Sequence, residues 1–219
     1  MRRFTVLVLS VLTLVGAVVT GTLVTASAHR AFPDTAITVL RPVNLSGHSE
    51  GYSIRTDRQL PIDCRFRSPS PGAVSPNIDW CSPTAADPFA CWKAAAPHRA
   101  LCLLDARKTE LVRYRRIGRF AQTNVPAPDA SAPLWMRLAN GEFCTLRAGG
   151  AWSQLPGHPH LYGTYGCGRD DAVWATLSAV HHGVNESQSS WTVLTARFGT
   201  HRVITRHVVR AWFVGTAAH

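Results

Sequence analysis

Six cysteines, Cys64, Cys81, Cys91, Cys102, Cys144 and Cys167, follow a leader of the kind that carries a chain out of the cytoplasm. Arg2 and Arg3 precede an apolar run over residues 4–24, and Ala26-Ser27-Ala28 closes it with a small-x-small exit. Residues 1–28 therefore read as a signal peptide. The same run is long enough to serve as an uncleaved membrane anchor, although Ser10, Thr13, Thr20 and Thr22 make it less apolar than a typical span. The first cysteine is Cys64, so no thiol sits at the exit to take a lipid. Export assigns the cysteines to an oxidising compartment, where an even number forms bridges that restrict the chain to folds able to pair them.

Six cysteines allow fifteen pairings, and sequence does not choose among them. Proximity along the chain suggests Cys64–Cys81, Cys91–Cys102 and Cys144–Cys167. Each would close a short loop and contribute about 3 kcal/mol in the chain-entropy model. A structural zinc site needs a Cys-x-x-Cys pair, and the chain has none.

After the leader the chain is long enough for one domain or two small ones. An apolar content of 46% and seven Trp exclude a disordered chain. The net charge of +10 comes almost wholly from arginine, since Lys93 and Lys108 are the only lysines. An exported protein this basic is attracted to anionic wall polymers or lipid headgroups in a salt-dependent way, and an envelope protein is the other partner expected. The bland reading is a solvated basic surface with no partner.

Local patterns predict a mainly β chain, an antiparallel sandwich or barrel-like domain with one short helix. Strands are expected over 36–40, over 52–66 with a break at Pro61, and over 77–81, with residues 67–76 as a loop. A hairpin is expected from 99–104 and 110–117 around Asp105-Ala106-Arg107-Lys108. Asn140-Gly141 marks a second hairpin over 134–146, and Gly199-Thr200 a third over 191–214. Residues 171–180 lean towards strand. The helix is expected over 87–96, where Asp87 can cap, Pro88 suits the first turn and three alanines follow. Residues 122–133, rich in Pro and Ala, read as a connector between a β-rich half with four cysteines (29–121) and a β half with two (134–219).

No Gly-x-Ser-x-Gly elbow, His-Glu-x-x-His helix or phosphate-binding glycine loop occurs. Asp170 and Asp171 are adjacent, so on a strand they face opposite sides and make no acid–base pair unaided. His158-Pro159-His160 and His181-His182 have the residue type for metal binding. Pro156 and Pro159 mark the first of these as a loop, where surface histidines are commoner than ligands. No metal and no cofactor is expected, and the chain leans away from being an enzyme.

Two candidate binding features remain. Arg113, Arg115, Arg116 and Arg119, with Tyr114 and Phe120, form the densest basic patch. On a strand Arg113 and Arg115 share a face that can track an anionic polymer, or the arginines simply protect an exposed sheet edge. Nucleic acid is not expected, because the chain is exported and carries no nucleic-acid motif. The aromatic bias of the second half (Trp135, Trp152, Tyr162, Tyr165, Trp174, Trp191, Trp212) is read mainly as core, with Trp152 as the one exposed platform for a sugar. The oligomeric state is not legible.

Two resemblances complete the reading. Thr164-Tyr165-Gly166-Cys167-Gly168-Arg169 resembles the Ser-x-Gly-Cys-x-Arg signature of L,D-transpeptidases, envelope enzymes with a nucleophilic cysteine. That resemblance implies an alternative function in which Cys167 is the nucleophile with Arg169 beside it. Thr164 stands where the signature has Ser, and His182-Gly183 lies downstream where the family has its His-Gly upstream. Asn140-Gly141, Gly149-Gly150-Ala151-Trp152, Tyr165-Gly166-Cys167, Val173-Trp174-Ala175, Trp191-Thr192-Val193 and Val214-Gly215-Thr216-Ala217 together resemble a group of exported mycobacterial and related actinobacterial proteins of unknown function. The likeness covers residues 134–217. It implies export and the Cys144–Cys167 pairing, and no activity.

Overall fold

The computed structural model describes residues 32–57, 61–65, 67–81, 90–120, 132–147, 154–168, 170–176 and 180–218. Phe32–His219 is one compact unit. The expected leader over 1–28, nearly all of the expected connector and the start of the expected helix lie outside the described residues, as do Trp152 and Arg169.

Fifteen strands make two sheets among the described residues. In chain order they are β1 (Ala36–Leu40), β2 (Ser53–Thr56), β3 (Ile62–Asp63), β4 (Ser68–Pro69), β5 (Ile78–Trp80), β6 (Ala90–Lys93), β7 (Arg99–Leu103), β8 (Glu110–Ile117), β9 (Trp135–Leu138), β10 (Phe143–Leu146), β11 (Gln154–Leu155), β12 (His158–Cys167), β13 (Asp171–Ala175), β14 (Thr192–Arg197) and β15 (Ile204–Val214). The molecule is mainly β, as the turn signals and β-branched runs predict.

Six strands close a barrel. The order β9-β10-β12-β13-β14-β15 is antiparallel throughout, and β15 returns to β9 with Ala211 opposite Met136 and Trp212 opposite Trp135. Closure removes the free edges that an open sheet of this size would expose. β1 adds to the outside of this path, running parallel to β15 from Ala36 opposite Arg210 to Leu40 opposite Val214. A strand from the first half of the chain thus belongs to the sheet of the second half.

The second sheet runs β2-β8-β7-β6-β5-β4, with β3 also on β8. Its centre is the expected hairpin of β7 and β8, and both β2 and β3 pair with β8 in parallel. Pro61 separates these two short strands, since proline interrupts a ladder by removing its donor. β8 is consequently an interior strand, held on both sides, so its arginines do not guard an edge.

Where a helix is expected over 87–96, residues 90–93 are strand β6. Ala90, Cys91 and Trp92 are all buried, and Cys91 lies directly opposite Cys102 on β7. A run this short has too few turns to hold itself as a helix in water. Burial on both faces and a bridge to β7 outweigh its alanine propensity. Among the described residues the only helical segment is a single 3-10 turn, Val180–Gly183, with His181 and His182 in the left-handed region.

The two sheets share one core. Ile78, Trp92, Leu101 and Leu111 of the second sheet belong to the same buried cluster as Leu134, Trp135, Met136, Tyr165 and Val173 of the barrel sheet. β13 is buried on both faces: Val173 joins that core, whereas Ala172 and Trp174 join a satellite cluster with Leu155 and Ala196. Trp174 donates its Nε1–H to the Ala196 carbonyl at 2.9 Å, which satisfies the one polar atom of a fully buried indole.

Cys64–Cys81, Cys91–Cys102 and Cys144–Cys167 are disulfide-bonded. The last two join residues directly opposite each other on neighbouring strands, β6 to β7 and β10 to β12. All six sulfurs are buried, and the four cysteines of the second sheet form their own cluster with Ile62, Tyr114 and Phe120. Three disulfides point to an oxidising environment. No helix among the described residues is long and apolar enough to cross a membrane.

Candidate functional site

A cleft of about 500 Å³ opens where five separate pieces of chain meet at the end of the second sheet. Asn44 and Leu45 come from the loop after β1, and Pro76 and Asn77 from the turn before β5. Trp92 and Lys93 end β6, and Arg116, Arg119 and Phe120 come from the end of β8 and its continuation. Thr216 comes from the C-terminal tail.

Close packing holds the first piece. The Ala95 amide donates to the Gly47 carbonyl at 2.9 Å, and the Gly47 amide donates to the Asn44 carbonyl at 2.9 Å. Gly47 has φ +80, and a Cβ there would lie 2.5 Å from the Ala95 nitrogen and 2.6 Å from the Lys93 oxygen. Only glycine fits such a conformation and approach. Gly47→Ala is therefore expected to destabilise the protein by about 1–3 kcal/mol, read from the midpoint of chemical denaturation; an unchanged midpoint would show that the loop does not dock as described. The Asn44 side chain is also engaged, donating to Glu50 Oε1 at 2.6 Å and accepting from the His48 amide at 3.0 Å.

The basic side is built at the end of β8. Gly118 (φ +81) lets the chain turn within 2.7 Å of the Arg65 nitrogen, measured from where a Cβ would stand, and the Cys64 amide donates to the Ile117 carbonyl at 2.8 Å. The bridged cysteine segment thus fixes the strand end that carries the arginines. The Arg116 guanidinium donates to the Gly118 carbonyl and lies 5.2 Å from the centre of the Phe120 ring. The Arg119 carbonyl accepts from Arg67 Nη1 at 2.8 Å.

The strand separates the four arginines of the sequence patch. Arg113 and Arg115 share one face of β8, and Arg116 falls on the other by the two-residue alternation. Arg116 and Arg119 line the cleft, and Arg113 and Arg115 do not. Sequence reasoning missed Lys93, Trp92 and Asn77 as their companions. The signal for Asn77 is a left-handed φ of 62, invisible before the backbone is known.

The electrostatics are one-sided. Among the described residues no carboxylate lines the cleft, and Arg116, Arg119 and Lys93 have no acidic partner. Arg55, Arg65, Arg107 and Arg197, by contrast, pair with Glu110, Asp63, Asp105 and Asp170 at 2.6–3.4 Å. Burial first, and then the like charge of Arg119, push the Arg116 guanidinium below its ordinary value. Two hydrogen-bond donors of these residues, Arg116 Nε and Trp92 Nε1, are buried beneath the surface without a partner among the described residues.

The other candidates fall elsewhere. Cys167 is bonded to Cys144 and only 1% exposed, so it has no thiolate to present. Tyr165 of the same motif is fully buried and donates to the Pro133 carbonyl at 2.9 Å. His158 and His160, expected in a loop, begin strand β12, where Pro159 is tolerated because that end pairs only with the short β11. His158 Nε2 lies 3.0 Å from the His201 carbonyl. Among the described residues, no three His, Cys, Asp or Glu side chains gather as a metal site. Trp135, Trp174, Trp191 and Trp212 are all core.

His181 and His182 stand on the strained 3-10 turn, and His181 Nδ1 lies 3.7 Å from Glu186 Oε1. Burial raises the Glu186 carboxyl above its ordinary value, and the attraction of His181 offsets only part of this. A raised acid destabilises the folded state once it ionises, so stability from this group falls as pH rises through its folded value. Glu186→Gln should raise the melting temperature at pH 7 and lose that advantage below the ordinary Glu range. A variant that melts lower at pH 7 would show that the His181 contact dominates.

Compared with family models, curated proteins and solved structures, the chain matches none. The cleft stands on its own geometry.

Proposed function

We propose that this is an exported, non-enzymatic protein of the cell envelope or medium, which uses the basic cleft to bind an anionic wall polymer. The carrying observation is that Arg116, Arg119 and Lys93 converge on one cleft with no carboxylate on its lining among the described residues. Like charges brought together without a counterion repel, and an anionic ligand relieves that repulsion. The disulfides and the leader pattern support a life outside the cytoplasm.

The test is retention of the oxidised protein on purified anionic wall polymer at low and high salt. Retention is expected at low ionic strength and release as the Debye length shrinks to about 3 Å at 1 M salt. Replacing both cleft arginines, Arg116→Gln with Arg119→Gln, should weaken retention about tenfold or more. No salt-sensitive retention of the wild type would reject the reading, and retention on protein extracts or lipid vesicles alone would reassign the partner.

A further inference from the structure

Three features stand out beyond the fold: the cleft, the His181–Glu186 turn, and the exposed edge of β1 with Ile37. Nothing in the structure shows what would cover β1, and the histidine turn gathers no metal-binding set among the described residues. The cleft carries more.

Resting on the reading above, we propose that the cleft is a discrete one-to-one site for a single anionic saccharide unit, a sugar ring bearing a phosphate or carboxylate. The polymer would then be held unit by unit, with no need for a diffuse polyelectrolyte surface.

Three properties argue for a shaped site. The volume of about 500 Å³ lies within the roughly 300–1,000 Å³ of small-ligand sites. A polyanion tracked by charge alone needs an open basic stripe, whereas Arg113 and Arg115 face away and only Arg116 and Arg119 enter the cleft. The lining also alternates in character: Phe120, Leu45 and Pro76 give apolar surface, and Asn77 and Thr216 give hydroxyl-matching polar groups. Leu45 is 73% exposed, a large apolar side chain held at the rim of a basic cleft. Apolar surface beside fixed polar groups suits a ring with one greasy face and an equatorial set of hydroxyls.

The charge of the lining supplies the reason for an oxyanion. An oxyanion seated in the cleft neutralises the charges of Arg116, Arg119 and Lys93 together. A planar guanidinium over Phe120 is already oriented for it.

Isothermal titration of the full-length oxidised protein at low salt tests the proposal with four probes: glucose 1-phosphate, glucuronate, inorganic phosphate and glucose. Glucose 1-phosphate, glucuronate or both should bind one-to-one, at least about tenfold more tightly than inorganic phosphate, with glucose undetected. The comparison of the two sugars distinguishes a phosphate from a carboxylate source. Arg119→Gln removes a solvent-facing charge without touching the contacts of β8, and should weaken binding about tenfold while the melting temperature holds. Arg116→Gln should do the same if the strand end survives. Equal affinity for inorganic phosphate would overturn the proposal, as would binding unchanged in Arg119→Gln or no binding of either sugar. The two readings fail separately. Salt-sensitive polymer retention that is lost in the double arginine variant, with no one-to-one binding of either sugar, sinks the discrete site and keeps the function, and sugar binding without polymer retention does the reverse.

Discussion

Reduction of the three disulfides under otherwise native conditions is expected to unfold most of residues 32–219 or to bring them to the edge of unfolding. The bridges span 17, 11 and 23 residues along the chain. In the chain-entropy model, loops of that length each contribute about 3 kcal/mol by restricting the unfolded chain, so the three together approach about 9 kcal/mol. A domain of this size has roughly 5–15 kcal/mol of stability in all. The bridges are also placed where the sheet is weakest. Cys91–Cys102 ties β6, four residues long, to β7, and Cys64–Cys81 joins the segments after the two-residue β3 and the three-residue β5. Denaturant midpoints with and without reductant measure the effect. A midpoint that does not move would mean that burial alone sustains both sheets. The paired change Cys91→Ala with Cys102→Ala isolates one bridge, and should lower stability by about 2–5 kcal/mol. Loss of the cleft should accompany it, since Trp92 and Lys93 end the same strand.

Trp135→Ala should be among the most damaging single core substitutions, costing about 3–5 kcal/mol. Trp135 is 2% exposed and begins β9, the strand that closes the barrel. On one side it lies opposite Thr145 of β10, and on the other opposite Trp212 of β15. It also belongs to the buried cluster that joins the barrel to Trp92 and Leu101 of the second sheet. Truncating it opens a cavity between elements whose backbones are held by ladders and cannot collapse into the space. Trp191→Ala, nearer the surface at 8% exposed, is expected to cost less. Equal losses in the two variants would show that the closure seam has no special role.

Much of the local order was legible because β-structure writes short-range signals. Asn140-Gly141 and Gly199-Thr200 mark turns by their tolerance of unusual φ, and the runs on either side are hairpins. Residues 36–40 read as a strand and are one. The segment 87–96 misled because Ala, Lys and a capping Asp are local preferences, whereas β6 is imposed by neighbours on both sides. The prolines around His158 marked a loop, yet that end of β12 pairs on one side only, with the two-residue β11, and a strand end with one partner tolerates Pro159.

The candidate site was legible only in part. Arg113, Arg115, Arg116 and Arg119 stood out as a charged run, but a run does not say which members turn to which face until the strand and its partners are known. Trp152 falls outside the described residues, and the aromatic groups that do meet the arginines are Trp92 and Phe120.

The sequence by itself determined a β-rich chain, the cysteines available to brace it, its excess of positive charge and the positions of its tightest turns, because each depends on composition or on residues a few places apart. The tertiary structure decided the barrel closure, the parallel addition of β1, the strand at β6 and the cleft. Those features join residues as distant as Asn44, Trp92, Arg116 and Thr216, which only sheet pairing and shared burial bring together.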